Sequence, residues 1–164
     1  MARSQWVSDD VFGLILRALM PANALAVEMS LRYGMRIGDV LATKTEDVRK
    51  GRWTYKEEKT GKSRRVTLCK ELQARLLSQA GKVYVWEHRY DYKRHRTRQA
   101  VYKDMCRVAT LLRLKHATPH SARKAYAVRA YHSCHDISKV QRLLNHSTEA
   151  VTMLYALADQ LGGN

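Results

Sequence analysis

The sequence RWTYKEEKTGKSRRVTL, residues 52–68, decides the fold class because it predicts a β-hairpin within an otherwise helical chain. Residues 52–56 alternate polar and apolar side chains as a half-buried strand does, and residues 64–68 supply the matching partner strand. The intervening Lys59-Thr60-Gly61-Lys62 predicts the turn. We therefore predict two antiparallel strands with a lysine-rich tip.

On both sides of this hairpin the pattern is helical. The spacing of apolar residues predicts helices over 8–20, 22–33, 37–41, 70–80, 97–113, 119–133, 136–145 and 148–160. A third short strand is predicted over 83–86 and a basic loop over 89–98. The predicted class is mostly α with a small antiparallel β-sheet (α+β). With two prolines, eight glycines and no linker-like stretch, residues 1–164 are predicted to form one domain.

The charge balance indicates a polyanionic partner. Lys and Arg number 30 against 15 Asp and Glu, which gives a formal net charge of +15. Such a surplus in a globular composition argues against an acidic disordered tail, a collagen-like repeat and a neutral metabolic enzyme. Ribosomal and DNA-binding proteins share this balance, so charge alone leaves both open.

The cysteine pattern favours a reducing compartment. An odd count without C-x-x-C argues against a disulfide framework and a structural zinc site; the residues are Cys69, Cys106 and Cys134. The apolar run 11–16 follows Asp9 and Asp10, which are typical of a helix start rather than of a secretory signal. We expect a cytoplasmic protein with no metal and no membrane partner.

Six polar residues lie where chemistry is conceivable: Arg36, Lys59, His120, Arg123, His146 and Tyr155. Taken alone, each has an ordinary structural explanation. Arg36 suits a surface ion pair with Asp39, and Tyr155 suits a half-buried helix position. Their order along the chain is Arg…Lys…His-x-x-Arg…His…Tyr. Six separate structural explanations do not account for this order.

This order resembles the catalytic domain of the tyrosine recombinase, or phage integrase, family. The matching stretches are GMRIGDVL (34–41), KTGKSRRVTL (59–68), TPHSARKAYA (118–127) and LLNHSTEAVTMLYA (143–156). The resemblance implies the DNA breaking–rejoining fold and a site-specific DNA recombinase. It also implies a strand transferase that needs neither metal, ATP nor any other cofactor.

The resemblance also implies a role for each residue. Tyr155 corresponds to the nucleophile that forms a 3′-phosphotyrosyl bond with DNA. Arg36 and Arg123 correspond to the arginines that hold the non-bridging phosphate oxygens. His120 and His146 correspond to the hydrogen-bonding and proton-handling positions.

Three further residues are implied to assist. Lys59 corresponds to the hairpin lysine that protonates the departing 5′-oxygen, and Lys62 is the alternative on the same turn. Asp39 corresponds to the acidic residue that orients Arg36.

The chemistry agrees with these residue types. Planar guanidinium forks suit the equatorial oxygens of a reacting phosphate better than ammonium groups do. A tyrosine with a pKa near 10 is only about 0.1% ionised at neutral pH, so a base or a cationic field must assist it. A lysine with a lowered pKa is a suitable acid for the alkoxide leaving group.

A basic and aromatic segment predicts the contact with DNA backbone. Its basic residues are Arg89, Lys93, Arg94, Arg96 and Arg98, interleaved with Tyr90, Tyr92 and His95. We expect double-stranded DNA as partner, self-association as a tetramer on DNA, and accessory DNA-bending proteins. A bacterial or phage origin and association with the nucleoid follow from the same resemblance.

The chain departs from the family in three places. Only about 35 residues precede Arg36, too few for a separate clamp domain, so we expect an excised catalytic domain or a minimal recombinase. Asn145 stands where glycine commonly precedes the second histidine, and asparagine also accepts left-handed backbone angles. The short segment after Tyr155 argues against a tetramer formed before DNA binding.

Three other functions stay open at this point. A type IB topoisomerase would share the chemistry and relax DNA without choosing a sequence. A catalytically silent regulator derived from a recombinase would bind DNA without cutting it, although it would not need the nucleophile. A basic RNA-binding protein would prefer RNA and form no covalent adduct.

Overall fold

The structure is a computed structural model and describes residues 7–115 and 117–145. The described part contains eight helices and four strands. The helices are α1 (Asp9–Ala18), α2 (Pro21–Tyr33), α3 (Ile37–Leu41), α4 (Thr45–Lys50), α5 (Lys70–Gln79), α6 (Arg98–Leu111), α7 (Pro119–Cys134) and α8 (Ile137–Leu143). The strands are β1 (Arg52–Lys56), β2 (Ser63–Thr67), β3 (Glu87–His88) and β4 (Asp91–His95). The predicted class, mostly α with small antiparallel sheets, is confirmed.

The β1–β2 hairpin forms as the alternation predicts. Its strands pair antiparallel from Arg52 opposite Thr67 to Lys56 opposite Ser63. Trp53 and Val66 are buried opposite one another, while the polar neighbours in each strand remain accessible. Gly61 supplies the left-handed backbone that the tip requires, at φ 66°. One apolar face of the hairpin thus packs into the core, while its tip stays exposed to solvent.

Helix α2 is central to the packing. It contacts α1, α3 and α7, and its buried residues Ala26, Val27 and Met29 are fully covered. A smaller cluster of Ala127, Val128, Val140 and Leu144 joins α7 to α8. Helices α3 and α7 thus both pack against α2, and the candidate site lies at its C-terminal end.

The third predicted strand, over 83–86, is wrong. In this segment only Tyr84 forms a single bridge, with Lys44. Val85 and Trp86 are both buried, so the segment lacks the alternating exposure of a half-buried strand, and the Trp86 indole donates to the carbonyl of Ala22 at 2.7 Å. The apolar run therefore anchors the chain against α2.

The predicted loop over 89–98 is also wrong, because residues 91–95 form β4 and pair with β3.

Helix α4 is an element that apolar periodicity did not predict, since Val48 is its single apolar residue. Acidic residues in its first turn, basic residues in its last turn and Gly51 at its C-cap stabilise it instead.

Candidate active site

Arg36 lies at the junction between α2 and α3. Helix α2 ends at Gly34, whose φ of 62° turns the chain sharply, and Met35 then inserts into the core. Arg36 is the N-cap residue of α3 with extended backbone, so its side chain leaves the helix rather than packing along it. The exposed fraction of this side chain is 16%. The turn therefore delivers a guanidinium to the edge of the core.

Arg123 and His120 lie on the first turns of α7. Thr118 and Ser121 form a reciprocal capping box, and Pro119 occupies the first turn, which together fix where this helix begins. Since the two residues are three positions apart, they share one face of the helix. The structure thus places the predicted His-x-x-Arg pair at a well-defined helix start.

The Arg123 guanidinium is held on two sides. One nitrogen donates to the carbonyl of Gly34 at 2.9 Å and another to the carbonyl of Leu144 at 3.1 Å. The residue is only 2% exposed. Burial, and then repulsion by Arg36, lowers the pKa of Arg123 to about 10. Arg123 therefore lies deeper than Arg36, beside the last turn of α8.

Glu57 joins the two arginines and is the site residue that the sequence interpretation missed. It follows β1 directly, and its carboxylate is fully buried. One oxygen accepts from Arg36 at 2.7 Å and from Thr60 at 2.7 Å, while the other lies 4.0 Å from Arg123. The available signal was the position of Glu57 two residues before Lys59, but an acidic residue there is equally typical of a polar turn.

The pKa of Glu57 reflects opposing effects. Burial raises it, but hydrogen bonds from Thr60 and Arg36, together with the charge of Arg36, outweigh burial and hold the pKa below its ordinary value. Arg64 adds a third cation, 3.7 Å from the carboxylate. Three guanidiniums thus converge on one ionised carboxylate, which leaves a surplus of two positive charges.

Asp39 differs from its expected role. Its carboxylate accepts from the backbone N–H of Glu58 at 3.0 Å, which ties α3 to the hairpin, and the carboxylate that contacts Arg36 is that of Glu57. Burial raises the pKa of Asp39. The charges of Arg36 and Arg123 act in the opposite direction on this pKa but do not outweigh burial.

The two candidate lysines lie in the turn between β1 and β2. Both are exposed, and the ammonium of Lys62 donates to the carbonyl of Asn145 at 3.5 Å. Asn145 has a φ of 56°, so asparagine does adopt the left-handed conformation expected at this position. The tip of the hairpin therefore reaches the residue that precedes His146.

His146 and Tyr155 lie outside the described residues, as does the predicted helix over 148–160. A different tyrosine, Tyr55, lies near the arginines, but burial raises its pKa to about 12. A buried phenol that is so hard to ionise is unsuited to act as a nucleophile. The position of Tyr155 as nucleophile stays a prediction.

The basic segment forms the β3–β4 hairpin and the start of α6. Its exposed cations are Arg89, Lys93, Arg94 and Arg98, while Arg96 is half-buried. The ammonium groups of Lys82 and Lys93 lie 5.7 and 5.9 Å from the centroid of the exposed Tyr92 ring. Arg98 packs over Gly38 of α3, so this segment borders the element that Arg36 begins.

The described residues offer neither a membrane-spanning helix nor a metal-binding cluster. No helix among them is long and apolar enough to cross a bilayer. No three histidine, cysteine or acidic side chains within residues 7–115 and 117–145 are grouped so that they could hold a metal ion.

Comparison with known proteins gives one family and several similar structures. The model of the phage integrase family matches residues 8–160. A probable integrase/recombinase of Bacillus subtilis (strain 168), YoeC, is 29% identical over 136 residues, which cover 79% of this chain and 74% of that protein.

Two solved structures share the fold. The XerH site-specific recombinase bound to palindromic difH substrate superposes with a TM-score of 0.70 at 19% identity, over 92% of this chain and 48% of that one. A lambda integrase tetramer bound to a Holliday junction gives 0.74 at 21% identity, over 93% and 48%. This chain therefore spans about half the length of these two proteins.

Proposed function

The chain belongs to the phage integrase family, and from this premise we propose that it is the catalytic domain of a site-specific DNA recombinase. The reaction cuts and rejoins DNA through a 3′-phosphotyrosyl intermediate at Tyr155. The observation that carries the proposal is the convergence of Arg36 and Arg123 on Glu57, at 2.7 and 4.0 Å. Two guanidiniums so close together suit a single phosphate group.

The arginines bind the scissile phosphate. Arg36 approaches the phosphate from the solvent-accessible side and Arg123 from the protein interior. Their N–H donors stabilise the charge that grows on the equatorial oxygens during attack. Removing one such donor typically slows the chemical step by about 100- to 1000-fold. Several fixed donors can therefore take the place of a metal ion.

Proton transfers complete the reaction. The Tyr155 hydroxyl loses its proton as its oxygen bonds to phosphorus, and the bond from phosphorus to the 5′-oxygen breaks. Lys59 supplies a proton to that oxygen, with Lys62 as the alternative, while His120 and His146 hydrogen-bond to the phosphate and handle the tyrosine proton. Since a phosphodiester is conserved in the intermediate, rejoining requires neither ATP nor another cofactor.

The partner is double-stranded DNA, bound along the β3–β4 hairpin by its exposed cations. The XerH and lambda integrase structures contain recombinases on their DNA substrates, the latter as a tetramer. By analogy this chain assembles as a tetramer on DNA, with accessory DNA-bending proteins at some sites. It acts on the bacterial or phage chromosome, in the cytoplasm and at the nucleoid.

The test is a search for protein that stays attached to DNA in detergent. Fragmented DNA from the source organism is incubated with the protein in EDTA and resolved on a denaturing gel. We expect an adduct with the natural sequence, none with Tyr155→Phe, and at least about 100-fold less with Arg36→Ala.

Three outcomes would contradict the proposal. An equal adduct with Tyr155→Phe would exclude this nucleophile, and dependence on Mg²⁺ would indicate a nuclease. Tight binding with no adduct under any condition would favour the silent regulator instead.

A further inference from the structure

Glu57 occupies an unusual position for a carboxylate in a DNA-binding site. Its side chain is fully buried, although the partner of the site is a polyanion that a negative charge repels. Burying a carboxylate is costly unless cations and hydrogen bonds compensate for its lost hydration. Here three guanidiniums supply that compensation. Glu57 therefore acts on the arginines of the site and not on the DNA itself.

The two carboxylate oxygens have different surroundings. One receives both hydrogen bonds, from Arg36 and Thr60. The other faces Arg64 at 3.7 Å and Arg123 at 4.0 Å. A hydrogen bond from the Asn145 side chain also helps to lower the pKa of this carboxylate. Glu57 therefore fixes Arg36 directly and acts on the other two arginines through its charge.

Arg64 and Arg123 have anchors of their own. Both donate to the carbonyl of Gly34, Arg64 also donates to Tyr33, and Arg123 also donates to Leu144. The side chain of Arg36 is fixed by Glu57 instead. Loss of the carboxylate would thus release Arg36 while the deeper arginines stay in place.

We propose that Glu57 is a positioning residue that holds the Arg36 guanidinium beside Arg123 before DNA binds. This inference rests on the proposed function. A donor that is already in place pays no reorganisation cost when charge develops on the phosphate. The carboxylate also relieves repulsion among the three arginines that surround it.

The decisive variant is Glu57→Gln, which keeps the shape and removes the charge. Single-turnover adduct formation should fall by about 10- to 100-fold, the range expected when a reacting group is misplaced by up to 1 Å. Non-covalent DNA affinity should stay within about threefold or increase, because the variant is more cationic. The matched control is Glu46→Gln, whose side chain is 74% exposed on α4, and it should leave both quantities unchanged.

A second variant and a second measurement keep the inference testable if Glu57→Gln does not fold. Thr60→Ala retains the charge but removes one hydrogen bond to it, and should slow adduct formation severalfold with unchanged melting temperature. In NMR spectra of arginine side chains, the Arg36 guanidinium N–H signals should be sharp in the natural protein and broadened in either variant. This measurement requires no catalysis.

The outcomes separate the inference from the function on which it rests. No adduct with the natural protein would refute the function, and the NMR spectra would still decide whether Glu57 restrains Arg36. A normal adduct with Glu57→Gln, or unchanged Arg36 signals in both variants, would overturn the inference. A parallel loss of binding, cleavage and melting temperature in both variants would show a purely structural role and would also overturn it.

Discussion

Arg64 and Arg123 donate to the same acceptor, the carbonyl oxygen of Gly34, at 3.0 and 2.9 Å. This carbonyl lies at the C-terminal end of α2, where the helix leaves carbonyl groups without partners and carries partial negative charge. One arginine arrives from the hairpin and the other from α7. A single backbone position therefore joins the three elements around the candidate site.

The first prediction concerns Gly34 itself. In Gly34→Ala the added Cβ would overlap the ring of Tyr126, at a φ of 62° that side chains rarely adopt. We expect the free energy of unfolding to fall by about 1–3 kcal/mol, from backbone strain and displacement of the ring. Urea denaturation measures this loss.

Gly13→Ala is the matched control for that experiment. No atom lies within 4 Å of the position a Cβ would take there, and Gly13 is inside α1. Alanine should therefore stabilise the protein by about 0.5–1 kcal/mol through its higher helix propensity. Equal effects of the two substitutions would contradict the close approach of Tyr126.

The sequence predicts the parts of this fold that depend on local periodicity. The hairpin and the long helices α2, α6 and α7 carry their apolar spacing or turn residues within a short window. Helix α4 and the β3–β4 hairpin carry no such apolar spacing. Capping and charge determine α4, and docking of Trp86 on α2 positions the segment before β3. Apolar periodicity alone therefore failed where local caps and charges, or a tertiary contact, decide the structure.

The site shows the same division. A motif predicts Arg36 and Arg123 because their spacing and neighbours are characteristic. Glu57 carries no such signature, since its role arises only when the hairpin, the α2–α3 turn and α7 meet. An ion pair between Arg36 and Asp39 was inferred from their spacing in the sequence, whereas the carboxylate in direct contact with Arg36 belongs to Glu57. The role of Asp39 in orienting Arg36 stays a prediction.

The second prediction concerns Asp104, a buried carboxylate that links α6 to the start of α2. It accepts from the backbone of Met20 at 2.9 Å, from Asn23 at 2.7 Å and from Arg107 at 2.7 Å. Burial raises its pKa, but these hydrogen bonds outweigh burial and hold the pKa below its ordinary value. At neutral pH, Asp104→Asn should lower the free energy of unfolding by about 2–4 kcal/mol.

The sign of the pH dependence follows from that depressed pKa. The folded protein binds the proton less readily than the unfolded chain, so the stabilisation is complete above the unfolded pKa of about 3.9. It is lost as the pH falls below that value. Denaturation at pH 7 and pH 3 should therefore show a smaller difference between Asp104→Asn and the natural protein at pH 3 than at pH 7. The comparison variant is Asp47→Asn, whose side chain is 31% exposed, and it should lose less stability at pH 7 than Asp104→Asn does.

The third prediction concerns the β3–β4 hairpin. Lys93→Ala and Arg94→Ala each remove an exposed cation from the proposed DNA-binding surface. Each should weaken binding about equally across DNA sequences and reduce the slope of log affinity against log salt concentration by about 0.9. Lys50→Ala is the control, because Glu46 already pairs with that ammonium at 2.9 Å. An unchanged slope in both hairpin variants would place the DNA elsewhere.

The last prediction distinguishes the two lysines of the hairpin tip. Lys62 is tied to the carbonyl of Asn145, whereas Lys59 is the residue that the family motif identifies as the acid. If Lys59 protonates the 5′-oxygen, Lys59→Ala should slow adduct formation by about 100-fold or more at neutral pH.

Replacing the 5′-bridging oxygen of the DNA substrate with sulfur removes the need for that proton, because a thiol has a pKa of about 8.5 and leaves as the thiolate. The sulfur substrate should therefore restore the Lys59→Ala variant to near the rate of the natural protein but should not rescue Arg36→Ala, whose defect is in binding the phosphate. Rescue of Lys62→Ala in place of Lys59→Ala would assign the acid to the other lysine, since both differ from the natural protein by one ammonium on the same turn.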